Sequence, residues 1–104
     1  MRIERFEEIK AWQESRRLAG LIYDFTKRPS FNRDLGLRDQ IRRAVVSVMA
    51  NIAEGFERRS HKEFRNFLNI ALASCSEVKS HLYVALDQRY IEQDDFDLAC
   101  AACD

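Results

Sequence analysis

The sequence predicts an all-α fold: a four-helix bundle with a short fourth helix. Three observations carry this. Apolar residues recur at 3-4 spacing through four segments, as one face of a helix requires. Glycine and proline together number four in 104 residues, too few for the many turns of an all-β fold. Hydrophobic content of 46% and charged content of 33% suit a globular chain rich in helix. The length predicts one domain over 1–104. The helices are expected at about 7–27, 35–57, 60–88 and 94–103.

In the first, Ile9, Trp12, Arg16, Ala19 and Tyr23 keep the 3-4 spacing, and Leu18, Ile22 and Phe25 widen the stripe. Pro29 ends it, because the residue before a proline avoids the α region. A loop is expected next, with Asn32, Asp34 and Gly36 as turn chemistry. The second helix starts at Asp34 or Leu37 and ends at Glu57. Ser60-His61-Lys62-Glu63 then reads as a capping box that opens the third. Behind it Phe64, Phe67, Leu68, Ala71, Cys75, Val78 and Leu82 hold one stripe over many turns. Asp94 or Asp95 caps the last segment, which carries Phe96, Leu98 and Ala99. At about ten residues it spans ~15 Å, against ~40 Å for the third. So it cannot cover the groove left by three longer helices, and another subunit is the simplest cover.

Several function classes lack support. No apolar run approaches the ~20 residues of a membrane span, and the N-terminus MRIERFEEIK has no apolar signal region. A cytoplasmic protein without membrane contact is expected. Cys75, Cys100 and Cys103 are an odd number without a dense framework, so reduced thiols are expected. Cys100-Ala-Ala-Cys103 has the CxxC spacing but neither a βαβ context nor a second ligand pair, and reads as small apolar residues on a terminal helix. A di-iron bundle needs Glu-x-x-His pairs. Here Ser80 stands three residues after Glu77, with His81 at four. His61 is expected in the first turn of its helix and His81 on a solvated face. No phosphate loop, HExxH or GxSxG occurs. Ser47 or Ser74 as a nucleophile would need a base that the sequence does not name. The reading is non-enzymatic, with no catalytic residue, metal or cofactor.

The stretch RRAVVSVMANIAEGFERRS, residues 42–60, is the most informative. On a helical wheel its apolar residues cover ~200°, whereas a surface helix needs only ~100°. A helix covered on two sides is expected: bundle core on one, subunit contact on the other. Arg42 falls inside the apolar arc, so it must be paired or snorkel to water. Arg43, Ser47, Asn51 and Glu54 share the polar side. Arg42, Asn51 and Glu54 are expected in buried polar contacts between helices or subunits. Gly55 lacks a side chain, which lets a backbone or an aromatic ring approach closely.

Gln40-Ile41-Arg42-Arg43-Ala44 with Ser47, then Asn51-Ile52-Ala53-Glu54-Gly55, resembles the signature of the four-helix bundle proteins encoded in 23S rRNA intervening sequences, often labelled S23 ribosomal protein-like. Phe6, Ala11-Trp12-Gln13, Tyr23-Asp24-Phe25-Thr26, Gly36-Leu37, Arg59-Ser60, Glu63-Phe64 and Phe67-Leu68 agree, as do Ile70-Ala71, Ser74 and Glu77. The similarity runs to about Ile91. It implies an up-down-up-down left-handed bundle that assembles into a homo-oligomeric ring, commonly a homopentamer. It also implies kinship with the accessory protein of diversity-generating retroelements, a pentameric ring that binds nucleic acid and a reverse transcriptase. No enzymatic activity is established for the family. The short, Cys-rich last helix departs from the pattern, which puts in doubt any ring contact made there.

Charge supplies the functional lead. Residues 1–35 hold 8 basic and 6 acidic side chains, residues 36–65 hold 7 and 4, and residues 66–104 hold 2 and 7. The balances are +2, +3 and −5, which cancel. Arg58, Arg59, Lys62 and Arg65 surround the turn before the third helix. Repeated around a ring, they would form a basic rim for RNA or DNA phosphates, with His61 and Phe64 adding stacking. Against this, Glu57, Glu63 and the acidic C-terminal third can neutralise them. The alternative is a protein adaptor that takes a partner helix in the groove beside the last helix. A third class, an enzyme with its site at a subunit boundary, would need a ligand near Glu54.

Overall fold

A computed structural model of the chain describes residues 2–103. Met1 and Asp104, the ends of the expected 1–104 domain, lie outside the described residues. The order is a 3-10 turn at Phe6–Glu8, then α1 (Lys10–Lys27), α2 (Pro29–Arg33), α3 (Leu35–Glu57), α4 (His61–Asp87) and α5 (Gln93–Cys103). Among the described residues there is no strand. The helices form a compact bundle of 43 × 24 × 18 Å.

The chain enters α1 later than its apolar spacing suggests. The Glu8 carboxylate accepts from the backbone N–H groups of Glu4 (3.2 Å) and Arg5 (3.0 Å). That local bonding holds residues 6–8 in a tighter turn and leaves Ile9 extended, with ψ 123°. From Lys10 onward the 3-4 stripe takes over, and Ser15, Leu18, Ile22, Phe25 and Thr26 are buried. The two buried hydroxyls donate back into their own helix: Ser15 to the Trp12 carbonyl and Thr26 to that of Ile22, both at 2.8 Å. Neither is left unsatisfied, which burial would penalise.

Pro29 does not begin a loop. It occupies the first turn of α2, where its missing N–H costs nothing and its fixed φ suits the helix. Arg28 before it is extended, as a pre-proline residue must be. α2 carries Phe31 into the core, fully buried and stacked on Tyr90 at 5.2 Å. Asp34 then caps α3 by accepting from the Leu37 N–H at 3.2 Å.

α4 folds back along α3 after the Arg58-Arg59-Ser60 turn. Ser60 accepts from the Glu63 N–H at 3.3 Å, which is half of the expected box. The other half is absent among the described residues, because the Glu63 carboxylate turns toward Arg58 at 3.7 Å. α4 ends in a Schellman arrangement: Tyr90 N–H bonds the Ala85 carbonyl (2.9 Å) and Arg89 N–H that of Leu86 (3.0 Å). Arg89 takes the left-handed φ of 63° where glycine is usual.

Two bonds between distant residues fix α5 and the turn before it. Tyr90 Oη donates to Asp34 Oδ2 at 2.9 Å. The Arg28 guanidinium meets both Asp95 oxygens, at 2.7 and 3.3 Å. Asp95 lies in the first turn of α5 and also accepts from the Glu92 N–H at 3.0 Å. The main core gathers Leu18, Ile22, Phe31, Ile41, Val45 and Leu82, among others, from every helix. Each such side chain contributes about 1.5–3 kcal/mol through burial. A smaller cluster of Val48, Ile52 and Ala71, with Ile9 and Trp12 against it, lies beyond the reach of α5.

The hydrogen bond from Arg28 holds the Asp95 carboxyl below its ordinary range, and the Glu92 N–H acts the same way. A carboxylate with a lowered folded pKa stabilises above its unfolded value, ~3.9, and that stability is lost as pH falls through the folded pKa. Asp95→Asn keeps an acceptor for Glu92 and removes the charge. Its urea midpoint should fall furthest below the parent's at neutral pH, with the gap closing as pH drops below ~4. An equal gap at pH 3 and pH 7 would contradict this account of the pair.

Candidate functional site

The four basic residues expected at the rim do gather at the α3–α4 turn, but they are not equivalent. Arg58 is engaged within the chain. Its Nε meets Glu54 Oε2 at 3.0 Å, a terminal nitrogen lies 3.7 Å from Glu63 Oε1, and the guanidinium sits 5.2 Å from the centre of the Phe67 ring. Arg59 has φ 60° and lies over Phe56 at 5.0 Å. Arg59, Lys62 and Arg65 are exposed, and among the described residues none forms an ion pair. Of the neutralisation expected from Glu57, Glu63 and the C-terminal third, the described residues show only Glu63 against Arg58, and Glu54 adds a second carboxylate to the same arginine. Three exposed cations remain, one in the turn and two at the start of α4. Such an arrangement can meet phosphate oxygens without first breaking an internal ion pair.

The stacking expected of Phe64 is not available. Its ring is half-buried, edge-on to Phe56 at 6.4 Å, and packed against Gly55. His61 is exposed in the first turn of α4, as its position suggested.

The motif of α3 divides into three roles. Arg42 resolves its place in the apolar arc without a carboxylate. Its Nε donates to Thr26 Oγ1 at 2.8 Å and its guanidinium lies 4.7 Å from the centre of the Tyr23 ring, both on α1. Asn51 Nδ2 donates to the Ser47 carbonyl (2.8 Å) and hydroxyl (3.0 Å), and the Ser47 and Ser74 hydroxyls lie 2.9 Å apart, tying α3 to α4. Ser47 and Ser74 thus serve a helix contact. Glu54 makes no buried contact within its own chain. Its side chain is 52% exposed and pairs with Arg58 one turn on, because residue 54 faces away from both neighbouring helices. Arg43 is exposed too; with Tyr23, Asp39, Arg42, Val46 and Ser47 it lines a shallow depression of about 480 Å³.

At Gly55, α3 and α4 approach closely. A Cβ built there would stand 2.7 Å from Phe67 Cβ and 3.0 Å from Phe64 Cδ1. The expected close approach is thus by two aromatic residues of α4.

His81 differs from its expected solvated position. Its side chain is 16% exposed and its Nε2 lies 3.2 Å from Glu77 Oε2. Among the described residues no group of three His, Cys, Asp or Glu side chains is placed to hold a metal. No helix there is long and apolar enough to cross a membrane. The groove expected beside the last helix is present, at about 650 Å³, between α1, α3, α4 and the end of α5. The short final segment announced the groove. Which residues floor it, Val48, Ile52, Leu68 and Leu72 among them, depends on helix rotations that a stripe does not give.

Residues 7–104 match the family model described as 23S rRNA-intervening sequence protein. Comparison with curated proteins finds no match.

Gly55→Ala should lower stability by about 1–3 kcal/mol, since Phe67 Cβ cannot move without its backbone. That outweighs the up to ~1 kcal/mol that alanine gains as a helix former. Gly20→Ala in α1, with nothing within 4 Å of its new methyl, should raise stability by up to ~1 kcal/mol. Urea unfolding of both variants checks the pair. A Gly55→Ala protein as stable as the Gly20→Ala protein would refute the close approach.

Proposed function

Because the chain belongs to the 23S rRNA-intervening sequence protein family, we propose that it is a non-enzymatic, homo-oligomeric helical-bundle protein that holds RNA or DNA phosphates on a basic rim. The observation that carries this reading is the turn itself. Arg59, Lys62 and Arg65 stand exposed around it without carboxylate partners among the described residues. In a ring, a homopentamer foremost, each copy adds one such turn to a single rim. Phosphate contacts made there release counterions, so affinity rises with their number and falls with salt.

Exposed apolar side chains outside the core support self-assembly. Val46 is 45% exposed on α3 and Ile70 is 49% exposed on α4. Contacts between copies would cover such side chains. In this reading the bundle is left-handed and up-down-up-down, and the ring is kin to the accessory protein of diversity-generating retroelements; the resemblance of the α3 motif supports both. The protein acts in the cytoplasm without cofactor or metal. Arg42, Asn51 and Gly55 hold α3 in place and have no chemical step to perform.

Fluorescence anisotropy with labelled structured RNA and duplex DNA, at 50 and 200 mM salt, tests the rim. The parent should bind and weaken steeply with salt, by ~10³-fold for six phosphate contacts around a ring. The triple variant Arg59→Glu, Lys62→Glu, Arg65→Glu should lose binding while keeping the parent's helical circular dichroism. A parent that ignores both ligands at 50 mM salt would end the nucleic-acid reading. Sedimentation tests assembly separately: Val46→Glu should shift the protein from a ring toward single chains. A parent that sediments as one chain at all concentrations would remove the ring.

A further inference from the structure

The shallow depression between α1 and α3 holds a guanidinium that is fixed in place but not neutralised. Arg42 is half-buried. Its Nε donates to Thr26 Oγ1 at 2.8 Å, and its guanidinium lies over the Tyr23 ring, 4.7 Å from the centre. Thr26 is fully buried, and its own hydroxyl proton goes to the Ile22 carbonyl at 2.8 Å. The acceptor that aims Arg42 is therefore itself held. Among the described residues Nε is the one nitrogen of Arg42 with a hydrogen-bond partner. The two terminal nitrogens are the edge that grips two oxygens of an anion end-on. A guanidinium placed before its ligand arrives loses little further freedom on binding.

Arg43 is exposed and lines the same depression. Of the lining residues only Asp39 is acidic, and its Oδ1 is held by Arg38 Nε at 3.0 Å. Among the described residues no carboxylate pairs with Arg42 or Arg43. Two positive charges are thus left to balance. A carboxylate balances one of them. A phosphate monoester carries about −1.5 to −2 at neutral pH and balances both. At about 480 Å³ the depression is larger than a phosphate group needs and falls within the range of small-molecule sites. Val46, 45% exposed, and Tyr23 give the remainder an apolar wall.

We propose that this depression binds a small phosphate monoester. Arg42 holds two phosphate oxygens through its terminal nitrogens, Arg43 meets a third, and the organic group rests against Val46 and Tyr23. The site is separate from the rim proposed for nucleic acid: Arg43 stands fifteen residues before Arg58, ~22 Å along the axis of α3. The competing occupant is a carboxylate of a neighbouring copy packed on Val46.

Isothermal titration calorimetry of the full chain with phenyl phosphate tests the proposal, with benzoate as the carboxylate control. The expected result is saturable binding with Kd below ~1 mM, and benzoate weaker by at least ~5-fold. Arg42→Lys keeps the charge, loses the two-nitrogen edge and should weaken binding ~10-fold with unchanged circular dichroism. Arg43→Glu, a change at an exposed position, should weaken it at least ~10-fold. The triple variant Arg59→Glu, Lys62→Glu, Arg65→Glu should bind phenyl phosphate like the parent, so the rim and this site fail separately. No saturable heat up to ~10 mM would overturn the proposal. Equal affinity for benzoate, or parental affinity in Arg43→Glu, would do the same. So would a parent that sediments at lower mass in saturating phenyl phosphate, because a neighbour's carboxylate would then have held the arginines.

Discussion

The bundle depends on a close approach at residue 55. Without a Cβ there, Phe64 and Phe67 of α4 settle directly onto the backbone of α3. That contact sits within one turn of the Arg58–Ser60 reversal on α3 and within about two on α4, and sets how the two longest helices lie together. Further along, the Ser47 and Ser74 hydroxyls meet at 2.9 Å, a distance that only small side chains on both helices permit. α1 packs on the pair so formed, through Leu18 and Ile22 against Ile41 and Val45. A bulkier residue at 55 would push on Phe67, and with it on the support beneath the Arg58 guanidinium.

Arginine is used in an unusual way throughout. Arg16, Arg28, Arg42, Arg58 and Arg59 each lie over an aromatic ring, at 4.7 to 6.0 Å from its centre. A ring attracts a cation without neutralising it. This is how Arg42 fits an apolar arc, with Tyr23 and the Thr26 hydroxyl in place of an acid. It is also how Arg59 is positioned while its charge stays outward. The placement of a guanidinium and its neutralisation are separate here, and the α3–α4 turn shows both cases side by side in Arg59 and Arg58.

What was legible in the sequence was what spacing encodes. The stripes of α1, α3 and α4, the Ser60 cap and the need for a small residue at 55 all follow from neighbours within a few positions. The errors came where local and distant forces compete. Pro29 reads as a stop but starts α2, because Phe31 has a core position to reach and Tyr90 to stack on. Residues 6–8 continue the apolar pattern, yet Glu8 ties them to the N–H groups behind it. His81 reads as solvated from its wheel position, but the rotation of α4 about its axis leaves it only 16% exposed. Tyr90–Asp34 and Arg28–Asp95 join residues 56 and 67 positions apart, and no pattern of short period contains them.

Those two distant bonds bear on the order in which the molecule comes apart. Closing a long loop costs more chain entropy than closing a three-residue turn, and the excess grows slowly with length. α3 and α4 are held by that short turn and by packing along their length, whereas α5 has eleven residues, of which Phe96 and Ala99 are buried. Segments with few buried contacts open at lower free energy than the global unfolding. α5 is then the piece whose amides exchange with solvent first, while those of α3 and α4 remain protected. Each such excursion opens to water the part of the main core that Phe96 and Ala99 close.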